Sequence, residues 1–291
     1  MKTAKLAKSY RVDDGHHFRL KDIQPAGTAD WKSQEAAGKT LKEDIQRMAD
    51  LQAKLYAQDQ WSLLLIFQAM DAAGKDGTIK HVMSGVNPEG CQVFSFKVPS
   101  EAELQHDFLW RTTKQLPERG HIGIFNRSYY EEVLVVRVHP KVLESEKIPP
   151  SLITKNVWEE RFEDIRSFER HLTRNGTVIR KFFLHLSKKE QKRRFLARLK
   201  EPSKYWKFSA ADIQERDYWD DYQEAYEQMI RHTATKYAPW YVVPADNKWF
   251  THLVVAAAIV ETLEALDLDY PKIDAAKHKE LQAARRLLTR K

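Results

Sequence analysis

The chain has 291 residues, which is long enough to bury one large core or two modest ones. Its single cysteine, Cys91, excludes an intramolecular disulfide and a cysteine-based metal cage. Hydrophobic residues (42%) and charged residues (31%) occur in the proportions of a soluble globular protein, and the net charge of +7 is moderate. No apolar run has the length of a membrane span, and the N-terminus has no apolar signal segment. We therefore expect a cytoplasmic protein without a membrane partner.

The two ends of the chain differ from its middle. Residues 1–32 show little periodicity and contain two turn signals, so we expect an extended N-terminal arm packed on a main domain of residues 33–270. From Ser33 to Gln58, apolar residues recur at three- and four-residue spacing, which predicts an amphipathic helix. Residues 271–291 predict a C-terminal helix, either frayed or in contact with another subunit of an expected homo-oligomer.

Residues 62–80 predict a strand, a glycine-bearing turn and a helix that begins at Thr78. This arrangement binds phosphate, because N–H groups at the helix start and one lysine face the anion. The match to G-x-x-x-x-G-K-[ST] is imperfect, since Ala69 stands at the first glycine position and Asp76 follows Lys75. An ordinary turn with a solvated lysine is the alternative. The candidate phosphate-binding residues are Ala72, Ala73, Gly74, Lys75, Asp76, Gly77 and Thr78.

A second tripeptide, Gly38-Lys39-Thr40, matches the final G-K-[ST] of the motif. No apolar strand precedes it, so we interpret it as part of a polar helix and not as a phosphate site.

Four further segments are typical of strands, and helical patterns separate several of them. Alternation of strands and helices favours a parallel sheet of about five strands with helices on both faces, hence an α/β fold. Ligands of such sheets bind at the carboxyl ends of the strands. Ser100 and Glu103 form a capping-box pattern that predicts a helix to about Gln115. The further strands are residues 91–98, 121–125, 177–185 and 240–244.

Asn126 and Arg127 directly follow the third predicted strand. Many phosphoryl-transfer enzymes hold Mg²⁺ through an acidic residue at this point. Asn126 cannot serve as that carboxylate, and we expect Asp71 and Asp76 in the loop to compensate while Arg127 faces a phosphate. The alternative is a helix cap by Asn126 or Ser128, with Glu131 completing a capping box.

A basic segment spans residues 187–207. It contains nine lysines and arginines against two glutamates, with a narrow apolar face of Phe195, Leu196 and Leu199. A solvated helix and a nucleic-acid or membrane surface are two interpretations. A mobile lid over a phosphate site, covering about residues 187–216, is the third and the one we favour.

Six stretches, in order along the chain, resemble the family-2 polyphosphate kinases. They are DAAGKDGTIKH (71–81), NPEGCQVFSFKVPS (87–100), GIFNRSYYEEVLVVRVHP (123–140), KFFLHLSKKEQKRRFLARL (181–199), WKFSAADIQERDYWDDY (206–222) and APWYVVPADNKW (238–249). The resemblance implies a P-loop kinase fold similar to thymidylate kinase, with a helical lid. It implies reversible phosphoryl transfer between inorganic polyphosphate and nucleotides, converting AMP and ADP or GMP and GDP to di- and triphosphates, with Mg²⁺, or Mn²⁺ in its place. Asn126 and the residues after it resemble the single-domain class III members, which accept nucleoside mono- and diphosphates.

The resemblance also implies roles for individual residues. Asp71, Lys75, Asn126 and Arg127 are the expected catalytic residues, and Asp71 and Asp76 the expected metal ligands. The expected lid and polyphosphate contacts are Lys80, Lys181, Lys188, Arg193, Arg194, Arg198, Lys204, Lys207 and Arg216.

Two other functions fit parts of the sequence. One is an ATP-dependent nucleotide kinase of the same fold. The other is a nucleic-acid-binding P-loop protein that uses the basic segment, although we expect no nucleic-acid partner. The aromatic residues beside that segment recur at near-helical spacing, which is more typical of core residues than of base-stacking platforms.

Overall fold

A six-stranded sheet forms the centre of the structure. The computed structural model describes residues 2–31, 33–207, 209 and 211–289, with side chains except those of residues 2–4, 204, 206 and 207. The strands are β1 (Arg11–Val12), β2 (Ser62–Ala69), β3 (Cys91–Ser95), β4 (Ile122–Asn126), β5 (Thr177–His185) and β6 (Trp240–Pro244). The α-helices are α1 (Lys2–Lys8), α2 (Gln34–Gln58), α3 (Lys75–Val82), α4 (Trp110–Thr113), α5 (Val135–Val138), α6 (Val157–Arg174), α7 (Lys188–Leu199), α8 (Ala211–Gln214), α9 (Trp219–Thr233), α10 (Lys248–Glu264) and α11 (Ala275–Thr289).

The strand order across the sheet is β1-β6-β5-β2-β4-β3. Strands β2 to β6 are all parallel, which confirms the five predicted strands and the α/β class. Strand β1 was not predicted: it belongs to the N-terminal arm and pairs antiparallel with the edge of β6. Two residues are too few to show a periodicity of two, so the sequence pattern carried no signal for it.

Strand β2 lies at the centre of the sheet and is buried along its whole length. Its successive side chains point to opposite faces, as the pleat of a strand requires. Leu63, Leu65 and Phe67 pack in one hydrophobic layer, and Leu64 and Ile66 pack in the other. A strand that is covered on both faces has a continuous apolar run, which is the pattern that predicted it.

Helices cover both faces of the sheet, as predicted. Residues of α1, α2, α3 and α10 pack on one face, and residues of α6 and α9 pack on the other. Helix α10 is apolar on all sides because it lies between the sheet and α2. Among the residues that the structure describes, no helix has the length and apolarity needed to cross a membrane. The first part of the arm is not extended, since it forms α1 against α10.

The helix predicted to extend from Ser100 to Gln115 is wrong. The capping box itself forms, because Ser100 N donates to the Glu103 carboxylate (2.7 Å) and Glu103 N donates to Ser100 Oγ (3.3 Å). The turn that follows covers only Glu103–Gln105. Asp107 then accepts a hydrogen bond from Leu109 N (2.9 Å) and starts a new turn that leads into α4. A local side-chain bond of this kind competes with helix propagation.

Candidate active site

A cleft of about 740 Å³ opens at the carboxyl ends of the parallel strands. Residues 70–77 after β2, 95–97 at the end of β3 and 126–127 at the end of β4 form one side. Residues of α7 and α10 form the other side. The predicted location of the ligand site therefore contains a cavity large enough for a drug-sized ligand, for which about 300–1,000 Å³ is usual.

The loop after β2 turns sharply into α3. Ala72 and Gly74 have left-handed φ angles of +64° and +101°, and Gly74 is the N-cap of the helix. Helix α3 begins at Lys75 and not at Thr78 as predicted, because Thr78 N already donates to Gly74 O (2.9 Å). The N–H groups of a first helical turn have no partner within the helix, so they are available to a phosphate in the cleft.

Lys75 lies at the floor of the cleft. Its ammonium donates to the carbonyl of Ala69 (3.2 Å), the residue at the first glycine position of the motif. Burial lowers the pKa of Lys75, and the nearby Arg127 lowers it further, whereas Asp71 opposes the shift. The ammonium group of Lys75 therefore lies against the loop and not in solvent.

Residues of β2 and β4 bring the two sequence motifs together. The strands pair in parallel with Phe67 opposite Asn126. Asn126 Nδ2 donates to Asp76 Oδ1 (2.8 Å), and Arg127 Nη2 donates to Asp71 Oδ1 (3.3 Å). All four of these polar residues line the cleft. The predicted proximity of the loop carboxylates to the second motif is therefore present in the structure.

The cap after β4 belongs to Ser128 and not to Asn126. Ser128 Oγ accepts from Tyr130 N (3.1 Å) at the start of the 3-10 helix Tyr129–Val133. Glu131 does not complete a capping box: its carboxylate lies 3.6 Å from Arg127 Nη1. Glu131 and Asp71 both raise the pKa of Arg127, so its charge is secured between two carboxylates.

Asp71 and Asp76 are two carboxylates of the cleft that could hold a divalent cation. Asp71 is half-buried, Asp76 is exposed, and both face the cleft. Within the described residues, no group of three or more histidine, cysteine or acidic side chains could hold a metal by itself. Mg²⁺ typically binds one or two carboxylates and completes its shell with water and substrate phosphates. Two carboxylates beside a phosphate loop fit that requirement.

Arg194 does not point at a substrate, contrary to the prediction. Its side chain is 6% exposed, and its guanidinium bonds the carbonyls of Ala72 (3.0 Å) and Ala73 (2.8 Å) in the loop. It also bonds the carbonyls of Ala245 (2.6 Å) and Asp246 (3.0 Å) after β6. Its Nε donates to the Glu190 carboxylate (2.8 Å), so all five N–H donors are in use; Arg194 lines the cleft but ties two loops to α7 and has no free donor for a phosphate.

The other predicted lid residues occupy different positions. Arg193 and Arg198 line the cleft; Arg193 is exposed and Arg198 half-buried. Arg216 bonds Gln191 Oε1 (2.6 Å) on α7 and lies outside the cleft lining. Lys80 and Lys188 are exposed and also lie outside that lining. The predicted contacts Lys204 and Lys207 lie outside the described side chains.

Lys181 cannot line a polyphosphate path, and that prediction is wrong. Its side chain is fully buried and its ammonium lies 2.7 Å from Glu169 Oε2. It also donates to the Tyr130 hydroxyl (2.9 Å) and to the carbonyl of Thr233 (2.8 Å). A lysine inside the sheet retains its charge only with such partners. The network anchors the 3-10 helix that follows Arg127, because Tyr129 also donates to Glu169 (3.0 Å).

Comparison with known proteins identifies the family. The sequence profile of the family described as Polyphosphate kinase 2 matches residues 31–271. The chain belongs to the Polyphosphate kinase 2 family. This confirms the resemblance, and with it the P-loop kinase fold.

Two sequence relatives and one solved structure, all of similar length to this chain, match nearly all of it. An ADP-polyphosphate phosphotransferase of Rhodopseudomonas palustris is 55% identical over 282 residues, covering 97% of this chain and 98% of the relative. An AMP/ADP-polyphosphate phosphotransferase of Meiothermus ruber is 47% identical over 273 residues, covering 94% and 98%. The crystal structure of polyphosphate kinase 2 from Arthrobacter aurescens is 40% identical, with a TM-score of 0.86 and 96% coverage of both chains.

Several residues in the cleft of this polyphosphate kinase 2 chain were not predicted. Lys97 follows β3, Asp212 lies on α8, and His81 and His252 meet from α3 and α10 with ring centroids 4.7 Å apart. Burial, His81 and Lys248 lower the pKa of His252 to about 4. Lys97, Asp212 and His81 lie within the stretches that carry the family resemblance and His252 lies outside them, but only the fold brings the four together.

The aromatic residues beside the basic segment are only partly in the core: Trp219 and Tyr222 are buried as the spacing indicated, Tyr218 is 41% exposed, and Trp206 lies outside the described side chains. Trp219 and Tyr222 are each 7% exposed and pack in the hydrophobic layer with α6. Side chains buried to this degree do not offer their faces to nucleic-acid bases.

Proposed function

We propose that the chain transfers phosphoryl groups between inorganic polyphosphate and nucleotides at the cleft around Lys75. The observation that supports this most directly is the meeting of the Asp71–Lys75 loop with Arg127 across the β2–β4 edge. Family membership supplies the reaction class, since both relatives are named as polyphosphate phosphotransferases acting on ADP or on AMP and ADP.

The phosphate being transferred occupies the loop. The first-turn N–H groups of α3 and the Lys75 ammonium hold its oxygens, and Arg127 offsets charge as the bond to the leaving phosphate lengthens. This transfer needs positioning and neutralisation of charge more than covalent catalysis. Arg194 acts indirectly: it holds the carbonyls of Ala72 and Ala73 so that the loop keeps its shape.

Asp71 and Asp76 would hold the divalent cation, Mg²⁺ or Mn²⁺ in its place. Bound there, the cation would neutralise phosphate charge and polarise the transferred group. The chain keeps each carboxylate in position through one side-chain partner, Arg127 for Asp71 and Asn126 for Asp76.

Polyphosphate enters along the cationic side of the cleft. Arg193 and Arg198 of α7 and Lys248 of α10 line that side, next to the loop. A flexible polyanion binds such a surface mainly through charge, so its affinity falls as salt rises. The lid motion predicted for residues 187–216 would involve the outer part of this segment, because Gln191 and Arg194 pack on the loop.

The nucleotide substrates are AMP and ADP, and the reaction is reversible. The class III resemblance and the AMP/ADP specificity in the name of the Meiothermus ruber relative support both acceptors. Transfer to ADP would regenerate ATP from polyphosphate.

The test is product analysis with purified protein, Mg²⁺ and polyphosphate, supplied with ADP or AMP in separate reactions. We expect ATP from ADP, and ADP followed by ATP from AMP. A control reaction without polyphosphate must give no transfer beyond adenylate-kinase-type exchange. Product from ADP alone would refute AMP as a substrate, and no product from either, with the protein shown to be folded, would refute the proposed function.

A further inference from the structure

A buried glutamine interrupts the apolar run of β2. Gln68 is 0% exposed and lies near the carboxyl end of the strand. It follows Leu64 and Ile66 at two-residue spacing, so it shares their face of the sheet. Burial of an amide is unfavourable unless hydrogen bonds satisfy it, so the partners of Gln68 indicate what it does. Gln68 lies outside the cleft lining and is therefore not a substrate contact.

The Gln68 amide bonds the turn that follows β4. Its Oε1 accepts from Ser128 N (3.2 Å) and from Ser128 Oγ (3.1 Å), and its Nε2 donates to Glu131 Oε1 (2.7 Å). In the opposite orientation the amide oxygen would lie 2.7 Å from the carboxylate oxygen, so these partners fix the orientation of the amide. Gln68 therefore ties the first and the fourth residue after Arg127 to the central strand.

The residue between β4 and this turn has a strained backbone. Arg127 has a left-handed φ angle of +64°. For a residue with a side chain this conformation costs about 1–3 kcal/mol and persists only where the surroundings determine it. Arg127 N donates to Phe67 O (3.0 Å), which continues the pairing of β4 with β2. The backbone N–H groups of Arg127 and Ser128 are therefore bonded to Phe67 and Gln68, two consecutive residues of β2.

Gln68 also holds the charge partner of Arg127. Glu131 Oε2 lies 3.6 Å from Arg127 Nη1, while Glu131 Oε1 accepts from Gln68. Burial raises the pKa of Glu131, and the nearby Arg127 and Lys75 oppose that shift. An N–H group that donates to a carboxylate favours its ionised form, so Gln68 keeps Glu131 oriented and charged. The guanidinium of Arg127 thus lies between Glu131 and Asp71, whose Oδ1 it contacts at 3.3 Å in the cleft.

We propose that Gln68 is a positioning residue: its amide holds the turn after β4 and thereby aims Arg127 into the cleft. The inference rests on the proposed function, in which Arg127 offsets charge on the phosphoryl group as it is transferred. Gln68 touches no reacting atom, so it acts only through Arg127. A contact that strengthens in the transition state affects kcat and kcat/KM equally. Loss of the Gln68 bonds should therefore lower kcat and leave the KM for ADP nearly unchanged.

The bond between Gln68 and Glu131 is tested by exchanging its two ends. Gln68→Glu sets two carboxylates against each other and should lower kcat for ATP formation from ADP at least tenfold. Glu131→Gln alone removes the carboxylate beside Arg127. The double variant restores one carboxylate and one amide, and the new acid at position 68 can still accept from Ser128. Its kcat should be at least tenfold higher than the two single losses multiplied together would give, a coupling of about 1.4 kcal/mol. Single losses that simply multiply in the double variant would overturn the proposal.

A second variant removes the hydrogen bonds without adding charge. Gln68→Met keeps the length of the side chain, so the fold should tolerate it. We expect kcat to fall at least tenfold and the KM for ADP to stay within threefold of the wild-type value. Gln52→Met is the matched control and should keep the wild-type kcat, since Gln52 is 2% exposed on α2 and lies outside the cleft lining. Urea titration checks that each variant is folded under assay conditions, and a wild-type kcat in Gln68→Met would overturn the proposal.

The conformation of Arg127 is a readout that does not depend on the reaction. A crystal structure of Gln68→Met should show Arg127 outside the left-handed region or its guanidinium moved away from Asp71. A displaced Arg127, with no polyphosphate-dependent product from wild-type protein, would support the hold of Gln68 on Arg127 and refute the phosphotransferase. Normal transfer by wild-type protein, with Arg127 unmoved in Gln68→Met, would support the phosphotransferase and refute the role of Gln68.

Discussion

The buried arginine of α7 offers a sharp test of how the phosphate loop is held. Arg194→Lys retains the positive charge but replaces a planar fork of five donors by a single ammonium. In the wild-type protein that fork bonds four carbonyls, at Ala72, Ala73, Ala245 and Asp246, and the Glu190 carboxylate. A lysine cannot reach both pairs of carbonyls from one point, so at least one pair loses its donor.

The size of the effect follows from the number of bonds lost. A hydrogen bond that involves a charged group contributes about 1.5–3 kcal/mol, so losing two should lower the free energy of unfolding by about 3 kcal/mol or more. The free energy of unfolding of a native protein is only about 5–15 kcal/mol, so a loss of this size is a large share of it. Loss of the bonds to Ala72 and Ala73 frees the loop after β2 directly, and loss of the bonds to Ala245 and Asp246 loosens the arginine that holds it. In either case we also expect kcat for ATP formation to fall at least tenfold.

The adjacent Arg193 provides the control. Arg193 also bonds Glu190 (2.6 and 2.7 Å), but its side chain is 69% exposed and it contacts no loop carbonyl. Arg193→Lys should therefore leave the urea midpoint of unfolding unchanged, as is usual for exposed ion pairs. Urea titration followed by tryptophan fluorescence, together with ATP formation from ADP, measures both effects. Wild-type stability and wild-type kcat in Arg194→Lys would refute the role assigned to Arg194.

Three further predictions concern the core, the metal and pH. Lys181→Met should lower the free energy of unfolding by about 3–5 kcal/mol, because Glu169 stays buried without its cation; adding Glu169→Met should recover part of the loss in the same urea titration, and no recovery would contradict the ion-pair argument. Asp76→Asn should raise the Mg²⁺ concentration for half-maximal rate without changing circular dichroism, and an unchanged Mg²⁺ titration would exclude Asp76 as a ligand. The pKa of His252, about 4 when folded against an ordinary 6.5, means that the unfolded chain binds a proton first as pH falls. Stability should therefore drop between about pH 6.5 and pH 4, with a His252 contribution of about 2 kcal/mol at pH 5, and an equally steep drop in His252→Gln would contradict this assignment.

The sequence predicted the centre of the site because its residues are fixed by local rules. A buried strand followed by a glycine turn and a helix start determines where Lys75 lies. Parallel strands end at one edge, so the residues after β2 and β4 had to meet there. The contacts of Asp71 with Arg127 and of Asp76 with Asn126 follow from these two facts and need no knowledge of the core.

The basic residues of α7 were harder to place because a run of like charge does not indicate which residues face inward. Arg193 and Arg194 were given the same role, yet one is exposed and the other buried. A signal was present: Gln191, Arg194 and Phe195 stand at i, i+3 and i+4, and this is the buried stripe of the helix. The prediction instead placed Leu196 on the apolar face, where it is 50% exposed.

Lys181 shows a second limit. It lies within an apolar strand, between residues that the sequence pattern marks as core, and that position should have suggested a buried ion pair. Its ion-pair partner Glu169 belongs to α6, and the hydroxyl that accepts from its ammonium belongs to Tyr130 after β4. Glu169 precedes Lys181 by only 12 residues but Tyr130 precedes it by 51, and only the fold brings both to the ammonium. The fold alone also brings His81 and His252 together.

The most direct test of the proposed site compares Lys75 and Lys39, two lysines that each follow a glycine in the sequence. Lys75 follows Gly74 at the start of α3 and lines the cleft, whereas Lys39 lies exposed on α2 and outside the cleft lining. ATP formation from ADP and polyphosphate is measured for Lys75→Met and Lys39→Met, with folding checked by urea titration. The account predicts a loss of at least a thousandfold in kcat/KM for Lys75→Met and wild-type activity for Lys39→Met. Near-normal activity in a folded Lys75→Met variant would contradict the assignment of this loop as the site of phosphoryl transfer.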